Sequence, residues 1–307
     1  MKKKTKKRLL IPLVSIFAVL CVIFAILDYS EMTSLNRMFG IFGINYKSAV
    51  SSADTLSVSI IDVGQADCIL LTLNDKSMLI DAGNNDDYNI IHKYLEQQNV
   101  KKIDFLIGTH PHEDHIGSLD TVIKNYDIGK IYLPKVKDSI IPTTKTYEDL
   151  LNAIKSKGYK AEAAKSGKNF EFSTASVDII APVEEYSDLN NYSVVLKVSY
   201  GNTVFLFMGD AEEKSEKDII KSGVDLKADF IKLGHHGSNT SSSAAFLRAV
   251  SPKFAAISCG KNNTYGHPAK KILDKLDEQS IPYRRTDVDG TLKYVSDGVT
   301  VSIVKEK

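Results

Sequence analysis

The chain has 307 residues, with Lys plus Arg at 39 against Asp plus Glu at 38 and a formal net charge of +1. Charge so balanced excludes the capture of polyanions by bulk electrostatics alone, and a hydrophobic content of 43% excludes a disordered chain. Three cysteines in this length exclude a disulfide-built scaffold, which leaves one medium-sized globular domain and an N-terminal addition.

The addition opens with Lys2, Lys3, Lys4, Lys6, Lys7 and Arg8, and Leu9 to Leu27 then carry no charge. A helix of that length spans about 28 Å, close to a bilayer core. Residues 1–8 therefore read as a cytoplasmic basic segment and 9–27 as a transmembrane signal anchor, in which Pro12 is tolerable. The positive-inside rule exports everything after Asp28, so the globular domain is expected outside the cell. The alternative is a cleaved signal peptide and a secreted protein. The length of the apolar run and the lack of a small-x-small site in Ala25-Ile26-Leu27-Asp28-Tyr29 favour the anchor. Residues 28–54 mix Ser, Asn, Gly and Tyr without a clear period and read as an extracellular tether. Residues 55–307 form the domain. Cys21 falls in the membrane segment. Cys68 and Cys259 fall in apolar, strand-like runs where free cysteine packs as a small hydrophobe, with a disulfide between them left open.

Leu56 to Ile61 alternates like a half-buried strand, Asp62-Val63-Gly64-Gln65-Ala66-Asp67 breaks it, and Cys68 to Leu73 and Met78 to Gly83 are two further strands about an Asn74-Asp75 turn. This spacing predicts a β-meander that delivers Asp81 at a strand end. A helix is expected over Tyr88 to Gln97, with His92 an ordinary helix residue. A buried strand over Ile103 to Gly108 then runs into Thr109-His110-Pro111-His112-Glu113-Asp114-His115, with a helix expected from about Gly117.

A surface loop could hold clustered histidines without a metal, but the H-x-H-x-D-H order at the mouth of a strand is far more specific than that. His110 and His112, alternate residues of an extended segment, can share one ion, while Asp114 and His115, past the turn, can reach a second. The remaining acids and histidines also arrive at strand ends. Thr203 to Met208, the second strand of a hairpin about Gly201-Asn202, delivers Asp210, which is placed to bridge two metals. Ala228 to Leu233 ends in Gly234-His235-His236-Gly237-Ser238, and Lys253 to Ser258 leads to Tyr265-Gly266-His267-Pro268. A helix over Ala269 to Gln279 and short strands about Arg284, Leu292 and Val301 close the chain.

These blocks, with Leu79-Ile80-Asp81-Ala82-Gly83, Asn190-Asn191-Tyr192-Ser193 and Arg285-Thr286-Asp287-Val288-Asp289-Gly290, resemble in order the metallo-β-lactamase superfamily, and within it the extracellular ComEC-type competence domain. The resemblance runs from about Thr55 to the C-terminus. It implies an α/β fold, a four-layer αββα sandwich, with two divalent ions, zinc or manganese, at one edge. It puts His110 and His112 on one ion, Asp114, His115 and His267 on the other, Asp210 between them, and Asp81 behind the histidine loop. Asn190-Asn191-Tyr192-Ser193 stands where many members carry a further histidine, and His235 or His236 could take that place. The ComEC-type pattern often has an acid where His112 stands, and teichoic-acid phosphorylcholine esterases are closer there.

The expected activity is extracellular hydrolysis of a phosphodiester, as a nuclease of the ComEC type, with Asp114 and Asp210 the catalytic acids. Asn191, Ser193, Ser238 and Lys261 are candidate donors to the substrate. DNA or a cell-wall polymer would be the substrate, and because a competence channel needs many spans, a separate membrane channel protein would be the partner. The alternatives are a phosphorylcholine esterase acting on the cell wall and a tethered, non-catalytic binding protein.

Overall fold

Leu56–Ile60, Ile69–Leu73 and Lys76–Ile80 form strands β1, β2 and β3, paired antiparallel in chain order as the meander requires. Helix α1 (Tyr88–Gln97) then carries the chain to β4 (Lys102–Ile107), which lies parallel to β3. The expected helix after the histidine motif is two pieces, a single turn α2 (Glu113–Ile116) and then α3 (Leu119–Asn125). Strand β5 (Asp127–Pro134), helix α4 (Lys145–Ser156) and strand β6 (Ala161–Ala164) extend the same sheet in parallel, each crossover supplied by a helix.

A second sheet begins with β7 (Lys168–Phe172), β8 (Ala175–Ala181), β9 (Val195–Tyr200) and β10 (Thr203–Phe207), all antiparallel. The Gly201-Asn202 hairpin joins the last two. Helix α5 (Glu213–Lys221), β11 (Phe230–Lys232), α6 (Ala244–Val250), β12 (Phe254–Ile257), α7 (Lys270–Glu278) and β13 (Tyr283–Arg285) follow, with parallel strands. After the short helix α8 (Thr286–Asp289), β14 (Leu292–Ser296) and β15 (Val301–Val304) return to the first sheet. The sheets are thus eight-stranded, β15-β14-β1-β2-β3-β4-β5-β6, and seven-stranded, β13-β12-β11-β10-β9-β8-β7.

Alternation along the strands assigns each side chain to a layer. Val58, Leu71, Met78 and Ile80 of the first sheet meet Val177, Leu196, Phe205 and Phe207 of the second in one buried cluster between them. The intervening residues face outwards: Leu70, Leu79 and Leu106 pack with Ile91, Ile123 and Leu150 of the helices over the first sheet, while Leu206 and Ile231 pack with Ile219, Phe246 and Ile272 over the second. Helix, sheet, sheet and helix make the four-layer sandwich, and each such side chain removed from water contributes about 1.5–3 kcal/mol.

The computed structural model describes residues 55–304. The basic segment, membrane anchor and tether expected over 1–54 lie outside the described residues. Among the described residues no helix is long and apolar enough to cross a membrane. Cys68 and Cys259 are buried and free, which corrects the open disulfide alternative. His92 is a helix residue whose Nδ1 meets the Tyr126 hydroxyl at 2.7 Å.

Candidate metal centre

The carboxyl ends of β3, β4, β10, β11 and β12 deliver the polar residues, the edge at which α/β sheets commonly place ligands. Asp81, just past β3, has a positive φ of 59° and sits 1% exposed. Its carboxylate accepts from the Thr109 backbone N–H, the Thr109 hydroxyl and His115 Nδ1, each at 2.7 Å. With Nδ1 spent in this way, the Nε2 of His115 is the free end of the ring, and it points at Oδ1 of Asp210 from 3.2 Å.

Asp210 follows Gly209, whose φ is +52° and whose missing Cβ leaves room for Ser193 and Thr109, each only 3.0 Å from where that Cβ would lie. The close approach brings the end of β10 against the histidine loop, and the Ser193 hydroxyl accepts from the Asp210 N–H at 2.9 Å. Four imidazoles then surround one carboxylate. Oδ2 of Asp210 lies 3.9 Å from His110 Nε2 and 3.7 Å from the Nε2 of both His235 and His236. His110 Nε2 and His112 Nδ1 face each other at 3.0 Å.

His236 occupies the place beside Asp114, with Nε2 3.2 Å from Asp114 Oδ2. Its Nδ1 donates to the Ser258 carbonyl at 3.0 Å and lies 3.4 Å from Asp67 Oδ1. Asp67 is itself paired with Lys232 at 2.5 Å, both fully buried. His235 turns the other way. Its Nδ1 lies 3.2 Å from Glu212 and 3.1 Å from the Thr240 hydroxyl, at the rim of the site. Both His235 and His236 have φ of 51°, an uncommon conformation for residues with a side chain and one that marks a turn held by its surroundings.

Donor atoms of Asp114, His115, Asp210 and His236 all lie within 4.8 Å of one another. The sequence left His235 and His236 undivided, and here both reach Asp210, His236 from the inner side and His235 from the rim. His267 stands farther out, its ring centroid 5.6 Å from that of His235 and 6.4 Å from that of His236, with Nδ1 3.4 Å from Gln65 Nε2. Of the four residues considered as substrate donors, Asn191 is tied into Ser215, Asp188 and Glu212, and Ser193 into Asp210. Ser238 is bonded to Thr240, and Lys261 is exposed on the loop after β12. Among the described residues the walls of the open cleft over the site, about 510 Å³ in volume, include Gln65, His112, Asp210, His235, Tyr265 and His267 but none of those four.

Two atoms of the donor set lack hydrogen bonds in a way that bears on a cation. The Nε2 of His115 and Oδ1 of Asp210 are buried and face each other without the alignment of a hydrogen bond, so among the described residues neither atom has a hydrogen-bond partner. Imidazole nitrogens and carboxylate oxygens turned toward one another in this manner fit a divalent ion. The protonation balance agrees. Burial favours neutral carboxyls, yet His115 and His236 hold Asp210 well below the ordinary carboxylate range, and His115 with His236 brings Asp114 down to about 2. Burial likewise disfavours imidazolium, and it keeps His110 well below its ordinary value. The carboxylates overcome it elsewhere: Asp210 and Asp67 raise His236 to about 10, and Asp210, Asp81 and Asp114 raise His115 strongly. In the metal-free chain, protons on two histidines thus balance a cluster of buried anions.

Sequence reasoning missed Asp67, Lys232, Thr109 and Glu212. Their signals were present: Asp67 closes the block Asp62–Asp67, Glu212 closes Gly209-Asp210-Ala211-Glu212, and Lys232 is a cation inside an otherwise apolar strand.

A four-layer sandwich with such a cluster at one edge defines a class, and residues 61–261 match the family model described as Metallo-beta-lactamase superfamily. The chain belongs to that superfamily. Within it the chain is similar to ComE operon protein 3 of Bacillus subtilis (strain 168), 30% identical over 256 residues, which are 77% of this chain and 32% of that protein. It is also similar to Competence protein ComA of Neisseria gonorrhoeae, 29% identical over 254 residues, 82% of this chain and 34% of the relative. The chain thus spans about a third of the length of these curated relatives. Among solved structures, the metallo-beta-lactamase fold protein YhfI from Bacillus subtilis shares the fold with a TM-score of 0.53 at 12% identity, covering 78% of this chain and 99% of that one.

Proposed function

We propose that the chain is a metal-dependent phosphodiester hydrolase, a nuclease of the ComEC type that is held to the membrane by its first 27 residues and works outside the cell. The observation that carries this reading is Asp210, a single buried carboxylate with imidazole nitrogens on both of its oxygens. Asp114, His115 and His236 would hold one ion with Asp210, and His110, His112 and His235 the other. When bound, two divalent ions, zinc or manganese, supply Lewis-acid stabilisation of phosphoryl oxygens and hydroxide near neutral pH.

The chain's own residues do the rest. Asp81, Thr109 and Ser193 fix the tautomer and aim of His115 and His110, so that the Nε2 atoms face the reacting centre. Asp67 and Ser258 do the same for His236. Asp210 and Asp114 present ionised oxygens at the floor of the cleft, where they orient a nucleophile and the proton it loses. The cleft is open, which suits a polymer chain lying across it. The names of the competence relatives favour DNA as that polymer, and a separate membrane channel protein is the partner that such a role calls for.

The test is hydrolysis of bis-p-nitrophenyl phosphate, p-nitrophenyl phosphorylcholine and linear DNA by the full chain with Zn²⁺ or Mn²⁺, against Asp210→Ala. Cleavage of the diester and DNA that vanishes in the variant is the expected result. Preference for the phosphorylcholine ester would move the substrate to the cell wall, and no turnover with metal bound would leave a binding protein.

A further inference from the structure

Among the described residues Tyr265 is the only aromatic side chain that stands exposed, at 73%. It is placed on the wall of the same cleft that holds Asp210, His112 and His235. Exposing a ring of this size forgoes burial that every other aromatic here obtains in part or in full, so its position needs a cause. Floppiness is not the cause. The Asn263 side chain accepts from the His267 N–H at 3.0 Å, and its amide donates to the carbonyls of Gly260 at 2.9 Å and His267 at 2.5 Å. One side chain therefore staples both ends of the 260–267 loop, and Gly266, at φ +71°, makes the tight turn beside Tyr265. The ring is backed by His267, nearly parallel at 22° with centroids 5.8 Å apart.

The geometry points to Tyr265 as a stacking platform that takes a nucleobase of a single-stranded nucleic acid while the adjoining phosphodiester lies over Asp210. This rests on the phosphodiesterase reading and names its substrate class. A ring fixed from behind and open in front costs little entropy to use, and a base stacked on an aromatic side chain is worth about 1–3 kcal/mol whatever the base, so the platform gives affinity without sequence preference. Quaternary ammonium groups are the other ligands that aromatic rings favour, but they are held in cages of several rings. Among the described residues Tyr265 is the only Tyr, Phe or Trp on the cleft wall, so no such cage is built there.

The test compares binding of two fluorescently labelled oligomers of equal length, a single-stranded oligothymidylate and its abasic counterpart, by anisotropy with the metal-loaded full chain. The wild type should bind the base-bearing strand about 10-fold or more tightly than the abasic one, Tyr265→Phe should keep that ratio, and Tyr265→Ala should bring it to within about 2-fold. Thermal melting of each variant confirms the fold. A wild type that binds both strands equally, or an alanine variant that keeps the ratio, overturns the platform. Loss of phosphorylcholine binding instead of base discrimination in Tyr265→Ala also overturns it and assigns the ring to a cationic ligand. Hydrolysis is read separately: base discrimination without cleavage of any diester would sustain the platform and sink the hydrolytic reading alone.

Discussion

His115 and His235 both turn an Nε2 toward Asp210 and both rest Nδ1 against a carboxylate, yet they are held in opposite ways. His115 is sealed, its partner Asp81 anchored by three bonds of 2.7 Å in the interior. His235 stands at the rim with its side chain 22% exposed, and its partner Glu212 is shared with Thr240 and Asn190. In a sealed pair an unmet donor has no water to turn to, so geometry is fixed and costly to disturb. In the rim pair, water can replace either partner. The contrast assigns rigidity to the inner half of the site and tolerance to the outer half.

The largest effect should come from the residue both halves share. Asp210→Ala is expected to abolish detectable turnover and to lower bound metal measured by elemental analysis of the purified chain. Full activity in that variant would end the argument for a common centre. Next in size, Lys232→Met strips the buried Asp67 of its nearer cation, leaving it only His236 at 3.4 Å, and should cost about 3–5 kcal/mol in urea unfolding. That contribution carries a pH signature. Burial opposes ionisation of Asp67, but Lys232 and His236 hold its carboxyl well below its ordinary value of 3.8. A depressed carboxyl contributes stability that is complete above the ordinary value and lost as pH falls through the folded one. The gap between wild type and Lys232→Met should therefore be widest near neutrality and narrow below about pH 4 in metal-free protein. A gap that does not change with pH would show that the pair is not its source.

A smaller loss, about 10–100-fold in metal affinity by calorimetric titration, is expected for Asp81→Ala, with Asp81→Asn retaining more because asparagine accepts the positive φ. Glu212→Gln should cost least, about tenfold or less in activity with an unshifted melting temperature. A Glu212→Gln loss equal to that of Asp81→Ala would erase the distinction between the sealed and rim pairs.

How much of this was legible follows the range of each interaction. The histidine loop could be read because its donors lie within six residues and its extended start sets their aim. Asp81 could be read as a strand-end acid facing that loop. The place of His236 beside Asp114 could not, since the two residues lie 122 apart in the chain. Asp67 and Lys232, 165 residues apart, form a pair that no local pattern announces. Helix α5 went unread for a different reason, because Glu213 to Lys221 is so polar that its apolar spacing rests on little more than Ile219. Strands β6 and β7 were missed in the same way, as neither offers a continuous apolar run.

The seam between the two sheets has a consequence for how the chain matures. His110, Asp114 and His115 ride on the first sheet, whereas Asp210, His235 and His236 ride on the second, and Gly209 lets the two approach. Neither sheet alone carries a full set of donors. As the chain emerges, the early half must therefore wait until the later half has followed and docked. Any cation seated there rewards only the closed sandwich, so loading with metal doubles as a seal on correct assembly.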